Sequence, residues 1–157
     1  MFGSGFGLFK RKKEKKGPLV YLSEPTIIYH TQTEKAILEI IEEKLGSTNV
    51  ILPSKYGLKG TSHMIKDAEI FVAVAIIGKF TSLVVEEVKI ARELNKKIYT
   101  LIVARSGNEV EYLFHEGIPG DIEWLSPEET ERLYEDFRGE DFSGFMKFFI
   151  GDRRRSW

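Results

Sequence analysis

"FTSLVVEEVKIARELNKKIYTLIV", residues 80–103, is the stretch whose reading decides the fold. Advancing about 100° per residue from Ser82, the positions Val84, Val88, Ala91 and Leu94 share one arc of a helix. "KIYTLIV" at 97–103 follows as a β-rich apolar strand. A helix feeding such a strand is part of a β-α-β unit, the building block of parallel sheets. The helix carries one anomaly. Glu87 falls inside the apolar arc, between Leu94 and Ala91, while Glu86 points the other way beside Glu93.

Working outward, the same alternation continues in both directions. Upstream, "EIFVAVAII" (69–77) is apolar on both faces, as central parallel strands are. "NVILP" (49–53) reads as a strand ended by proline. In "TQTEKAILEIIEEKLG" (31–46), Thr31 and Glu34 form a capping box, Ile37, Leu38, Ile41 and Leu45 make a helical stripe, and Gly46 is a stop. "PLVYLS" (18–23) is a short opening strand. Downstream, "IEWLSPEETERLYEDF" (122–137) supplies a short strand and a helix with Ser126 as cap, Pro127 at its first position and Glu129 completing the box. The expected fold is α/β: a flavodoxin-like three-layer sandwich on a five-stranded parallel sheet of order 2-1-3-4-5, spanning 18–138.

The 157 residues suit one domain with a proper core, and 42% apolar with 30% charged is a globular composition. A net charge of -1 excludes an overall polycation built for nucleic acid polymers. The absence of cysteine removes disulfides and thiolate metal sites and fits a reducing cytoplasm. No run of eighteen apolar residues is long enough to span a membrane. Residues 1–17 read as a disordered basic arm, either a solvated tail or a peripheral contact in which Phe2, Phe6, Leu8 and Phe9 meet a membrane surface or partner beside Lys10 to Lys16. Residues 139–157 are aromatic and then basic, and either dock on the core or join subunits through Phe145, Phe148 and Phe149. The stretch Glu109 to Asp136 is dense in acid, with Arg132 as its only Lys or Arg. It reads as a solvated face or as a surface for a basic arm or tail.

Open parallel sheets bind ligands at the carboxyl ends of their strands, close to the point where strand order reverses. That rule selects Ser23, Glu24 and Pro25, then Pro53 to Tyr56, Gly78 to Ser82 and Arg105 to Asn108. Glu87 lies near the first turn of the helix leaving the third of these loops, so its side chain can face the cleft. An ionised, poorly hydrated carboxylate there is a usable nucleophile or a stabiliser of a cationic sugar-like transition state. It could equally be paired with a basic group. No cofactor or metal is indicated: His30, His63 and His115 lack ligand spacing, and "GSGFG" at 3–7 precedes any strand. Lys55 and Lys59 could hold a phosphate or belong to a solvated loop.

These residues also carry a family likeness. "VYLSEP" resembles the opening strand and loop of nucleoside 2-deoxyribosyltransferase-like proteins, "NVILPS" their second strand, and "EEVKIARELNKKIYTLIV" their E-x-G-x-A helix and following strand. Glu87 and Ala91 match that motif, with Lys89 where glycine is usual. The helix is also similar to that of the related Toll/interleukin-receptor-like domains, through Thr81, Val84, Glu87, Val88 and Ala91. The resemblance covers roughly 18–105. It implies cleavage of an N-glycosidic bond in a nucleoside, nucleotide or NAD-like substrate, with Glu87 attacking the anomeric carbon, a pocket of Tyr21, Ser23, Glu24, Pro25, Thr81 and Ser82, and a homo-oligomer. The family's loop aspartate has no counterpart, since no aspartate occurs between Asp67 and Asp121. Glu24, in place of a small residue after the first strand, is a candidate substitute for delivering the proton, or equally a residue that blocks the pocket. The alternative is a non-catalytic nucleotide-sensing or homotypic interaction module on the same fold.

Overall fold

A computed structural model describes residues 14–57, 59–106 and 109–138. Most of the basic arm, residues 58 and 107–108 and the whole 139–157 segment lie outside the described residues.

Strand β1 (Val20–Ser23) leads through a single 3-10 turn to helix α1 (Gln32–Leu45). Thr31 caps α1 by accepting the Glu34 N–H at 3.2 Å, and Gly46 closes it in the left-handed conformation, φ 67°. The Glu34 carboxylate reaches back to the His30 N–H at 3.1 Å, one residue earlier than a standard capping box. Strand β2 (Val50–Ile51) is short, because Pro53 opens a 3-10 turn over Pro53–Tyr56. A second 3-10 segment, Ser62–Asp67, precedes the central strand β3 (Ile70–Ile76). The chain then turns through Ile77 and Gly78 into a two-residue strand β4 (Lys79–Phe80) and helix α2 (Ser82–Glu93). Strand β5 (Lys97–Ser106), strand β6 (Glu109–Glu116), strand β7 (Glu123–Trp124) and helix α3 (Pro127–Arg138) complete the order.

The sheet has seven strands and is mixed, mostly parallel. β1 lies between β2 and β3, in register Tyr21↔Ile51 and Tyr21↔Phe71, and β3 pairs in parallel with β5 from Ile70↔Lys97 to Ile76↔Val103. Here the expectation of a five-stranded parallel sheet is corrected. The place beside β5 is taken by antiparallel β6, in register Leu101↔Phe114, and β7 pairs instead with β4, off the end of β3. A parallel neighbour for β5 needs a crossover of a dozen or more residues, usually a helix, whereas an antiparallel one needs only a tight turn. No helix separates β5 from β7, so the chain folds straight back.

Both faces of the sheet are covered. Val20, Leu22, Val72 and Val74 pack with Ile37 and Ile41 of α1, and Leu133 and Tyr134 of α3 join this side. Tyr21, Phe71, Ala73 and Ala75 pack with Val84, Val88 and Ala91 of α2 on the other. At the amino end of β1, the Lys16 N–H donates to Thr48 Oγ1 and its carbonyl accepts the Thr48 N–H. Gly17, at φ 88°, allows this close approach, because a side chain there would run into the carbonyl oxygen of Gly46.

Candidate functional site

Helix α2 starts at the carboxyl end of the sheet, and its inward arc is as the periodicity predicts except at its end. Val84, Val88 and Ala91 are buried, Glu86 is exposed and Glu87 is only 3% exposed. Leu94 is the correction: the helix ends at Glu93, and Leu94, as C-cap, turns out to 43% exposure.

Glu87 reaches under the sheet to three hydroxyl groups. Tyr21 donates to Oε2 at 2.8 Å, Ser23 to Oε1 at 2.7 Å and Ser62 to Oε2 at 2.8 Å. Tyr21 and Thr61 share a further hydrogen bond of 2.8 Å. None of the ion pairs among the described residues includes Glu87. The carboxylate is thus buried and hydrogen-bonded without a neutralising cation. Buried polar groups need hydrogen-bond partners, and these three hydroxyls supply them. Burial first, and then the charge of Glu87, push the Tyr21 hydroxyl far up, so it stays protonated and remains a donor. Of the three donors to Glu87, only Ser62 is half-buried; Tyr21 and Ser23 are sealed.

A second carboxyl sits directly after Ser23. Glu24 is 1% exposed, and both of its oxygens lack a donor among the described residues, as does Oε2 of Glu34. Two ionised carboxylates cannot donate to each other, so the pair is satisfied only when one holds a proton. Burial foremost, then the hydrogen bond with Glu34 and its charge, raise the Glu24 carboxyl well above the ordinary range. Tyr29 ties the groups together. Its hydroxyl is pushed up by burial and then by Glu24, Glu87, Glu34 and Tyr134, so one ring lies within electrostatic reach of three carboxyls.

Of the residues selected from sequence, Tyr21, Ser23 and Glu87 are hydrogen-bonded together, and Glu24 joins the neighbouring carboxyl pair. Pro25 is buried and starts the turn Thr26–Ile28, its carbonyl accepting the Ile28 N–H. Thr81 is 1% exposed, and its hydroxyl has no partner among the described residues, although it occupies the N-cap position of α2. The first N–H of that helix, from Ser82, is taken instead by Thr130 Oγ1 of α3 at 2.9 Å. Ser82 itself lines a different cleft, between α2 and α3, with Glu86, Lys89, Trp124 and Glu129. Ser54 adds a buried hydroxyl without a partner among the described residues at the carboxyl end of β2. Thr61, Ser62, Tyr29 and Glu34 were not selected from sequence. Glu34 reads there as a cap residue, and nothing in the spacing of Thr61 and Ser62 connects them to a helix that begins at Ser82. Arg105 and Ser106 end β5 on this side, and the remainder of that loop is outside the described residues.

Comparison with known proteins finds no matching family model, no matching curated protein and no matching solved structure. Among the described residues no group of three or more His, Cys, Asp or Glu could hold a metal ion, and no helix is long and apolar enough to cross a membrane.

Proposed function

We propose that this chain cleaves the N-glycosidic bond of a nucleoside, nucleotide or NAD-like molecule, with Glu87 as nucleophile and Glu24 as proton donor. The observation that carries the reading is the contrast between two buried carboxyls at one end of the sheet. One is held by three hydroxyl donors suited to its ionised form, and the other is held in a place that favours its protonated form. A buried carboxyl held in its acid form beside one that accepts three hydroxyl hydrogen bonds supplies an acid and a nucleophile to one site.

In the first step Glu87 Oε attacks the anomeric carbon, the carbon–nitrogen bond breaks, and its electron pair leaves with the base, which takes the Glu24 proton. A glycosyl ester on Glu87 results. In the second step water, or an acceptor base, attacks the same carbon; the ester bond breaks, Glu87 is released as carboxylate, and the proton lost by the incoming group returns to Glu24. The hydroxyls of Tyr21 and Ser23 orient the nucleophile and take up its charge when it is released. The resemblance to the nucleoside 2-deoxyribosyltransferase-like family supports the same assignment.

Incubation with a panel of nucleosides, nucleoside monophosphates and NAD tests this. Free base should appear, Glu87→Gln should abolish it, and mass spectrometry of quenched reactions should find one sugar on the peptide holding Glu87. The burial of Glu87 favours one other reading, a nucleotide-sensing module without turnover. It requires a nucleotide-induced rise in melting temperature with no base released from any member of the panel.

A further inference from the structure

We infer that the outer edge of β6 is the seam of a homodimer, in which two copies pair antiparallel about a two-fold axis at Leu113. Among the described residues β6 is hydrogen-bonded to β5 and to no other strand, so its other edge presents a row of backbone N–H and C=O groups. It is eight residues long, while the opposite edge strand, β2, has two. Long open edges are ordinarily blunted by proline, by charge or by shortness; β6 is long and has no proline, and its charged residues are Glu109, Glu111 and Glu116. It does carry the most exposed large apolar side chain in the described fold, Leu113, at 67%.

The occupant follows from the order of side chains along the strand. Glu109, Glu111, Leu113 and His115 share the α2 face of the sheet, and Val110, Tyr112 and Phe114 share the α1 face, where they pack on the core. Antiparallel pairing about Leu113 sets Leu113 against its own copy, and Glu111 against His115 of the second copy, twice. On the other face it sets Tyr112 against Phe114. Each of these is a favourable cross-strand pair: apolar with apolar, carboxylate with imidazole N–H, ring with ring.

Neighbouring registers lose this match. Moving the axis one residue to Tyr112 puts Leu113 against Glu111, and moving it to Glu111 puts that carboxylate against itself. Pairings that place Leu113 opposite Tyr112 join the α2 face of one copy to the α1 face of the other and misalign the helical layers. The strand is therefore complementary to itself in one register, and the glutamates act against the others.

Sedimentation velocity of the full chain across a concentration series is the test, with circular dichroism to confirm that each variant is folded. Wild type should show a monomer–dimer equilibrium. Leu113→Lys should weaken it roughly a hundredfold, because two apolar contacts are lost and two like charges meet. Glu111→Lys alone should weaken it roughly tenfold, and adding His115→Glu should restore it, since only this register sets position 111 opposite 115. A chain that stays monomeric at every concentration overturns the proposal and leaves the edge to a strand from a different protein. A dimer indifferent to Leu113→Lys, or a double variant no better than Glu111→Lys, overturns it equally.

Discussion

Tyr21 and Glu87, sixty-six positions apart in the chain, are joined by a 2.8 Å hydrogen bond in the interior, and the tyrosine hydroxyl also meets Thr61. β1 presents the ring, stacked on Phe71 at 5.8 Å, and α2 presents the carboxylate. The first strand is thereby tied to the helix that follows the fourth, through a polar contact inside an apolar layer.

Tyr21→Phe keeps the ring and deletes this contact. Thr61 Oγ1 loses its partner and Glu87 keeps only Ser23 and Ser62. The cost is about 1–3 kcal/mol, because buried polar groups are left short of hydrogen bonds. Urea denaturation should show a lower midpoint with an unchanged slope. An unaltered midpoint would mean that the hydroxyl contributes nothing to holding Glu87.

Glu24 makes stability depend on pH in a defined direction. Its folded-state pKa lies above the unfolded value, so the folded chain binds the extra proton. Its contribution is complete below the ordinary carboxyl range and is lost as pH rises from there through the raised folded value. Over that window the loss approaches about 1.4 kcal/mol per pH unit. Glu24→Gln should remove this component, so the variant should match wild type near pH 4 and exceed it increasingly toward neutrality. Denaturation curves of both chains at several pH values give the difference directly, and parallel curves would contradict a protonated Glu24. Base release should fall in the same variant, since an amide supplies no proton.

Thr81→Val separates a structural hydroxyl from a ligand-binding one. The Thr81 hydroxyl is buried and has no partner among the described residues, and the Ser82 N–H at the helix start is satisfied by Thr130. Replacing it with an isosteric methyl should leave the melting temperature unchanged or raise it, by up to about 1 kcal/mol in stability. If the hydroxyl serves the substrate, base release should drop at the same time. Greater stability with full activity would take Thr81 out of the site.

Ile77 sits at φ 51°, a left-handed conformation that β-branched residues resist, followed by Gly78 at φ 77°. The pair forms the tight turn between β3 and β4, where Asn-Gly is the preferred sequence. Its side chain is 44% exposed, so little packing is lost on replacement. Ile77→Asn should stabilise the fold by about 1 kcal/mol, measurable as a higher thermal midpoint.

The local features could be read in chain order because their causes are local. Thr31 and Gly46 bound α1, Ser126 and Glu129 cap α3 reciprocally at 2.9 and 3.1 Å, and the 3.6-residue period turns Glu87 inward and Glu86 outward. Each depends on residues within a turn or two of itself. The strand β6 is not read from the sequence: Val110, Tyr112 and Phe114 do alternate with Glu109, Glu111 and His115, but the acid density of that stretch reads as a solvated face or a surface for a basic arm or tail.

By itself, then, the order of residues determined the helices, their caps, the central strands β1, β3 and β5 and the inward direction of one carboxylate, all consequences of periodicity and short-range hydrogen bonding. Only the tertiary structure decided that β6 doubles back beside β5, that Ser62 and Tyr21 close on Glu87, and that Glu24 faces Glu34 instead of water. Strand partners and buried polar contacts link residues tens of positions apart, and which of them meet is settled by how the layers pack, a choice that no single window of the chain contains.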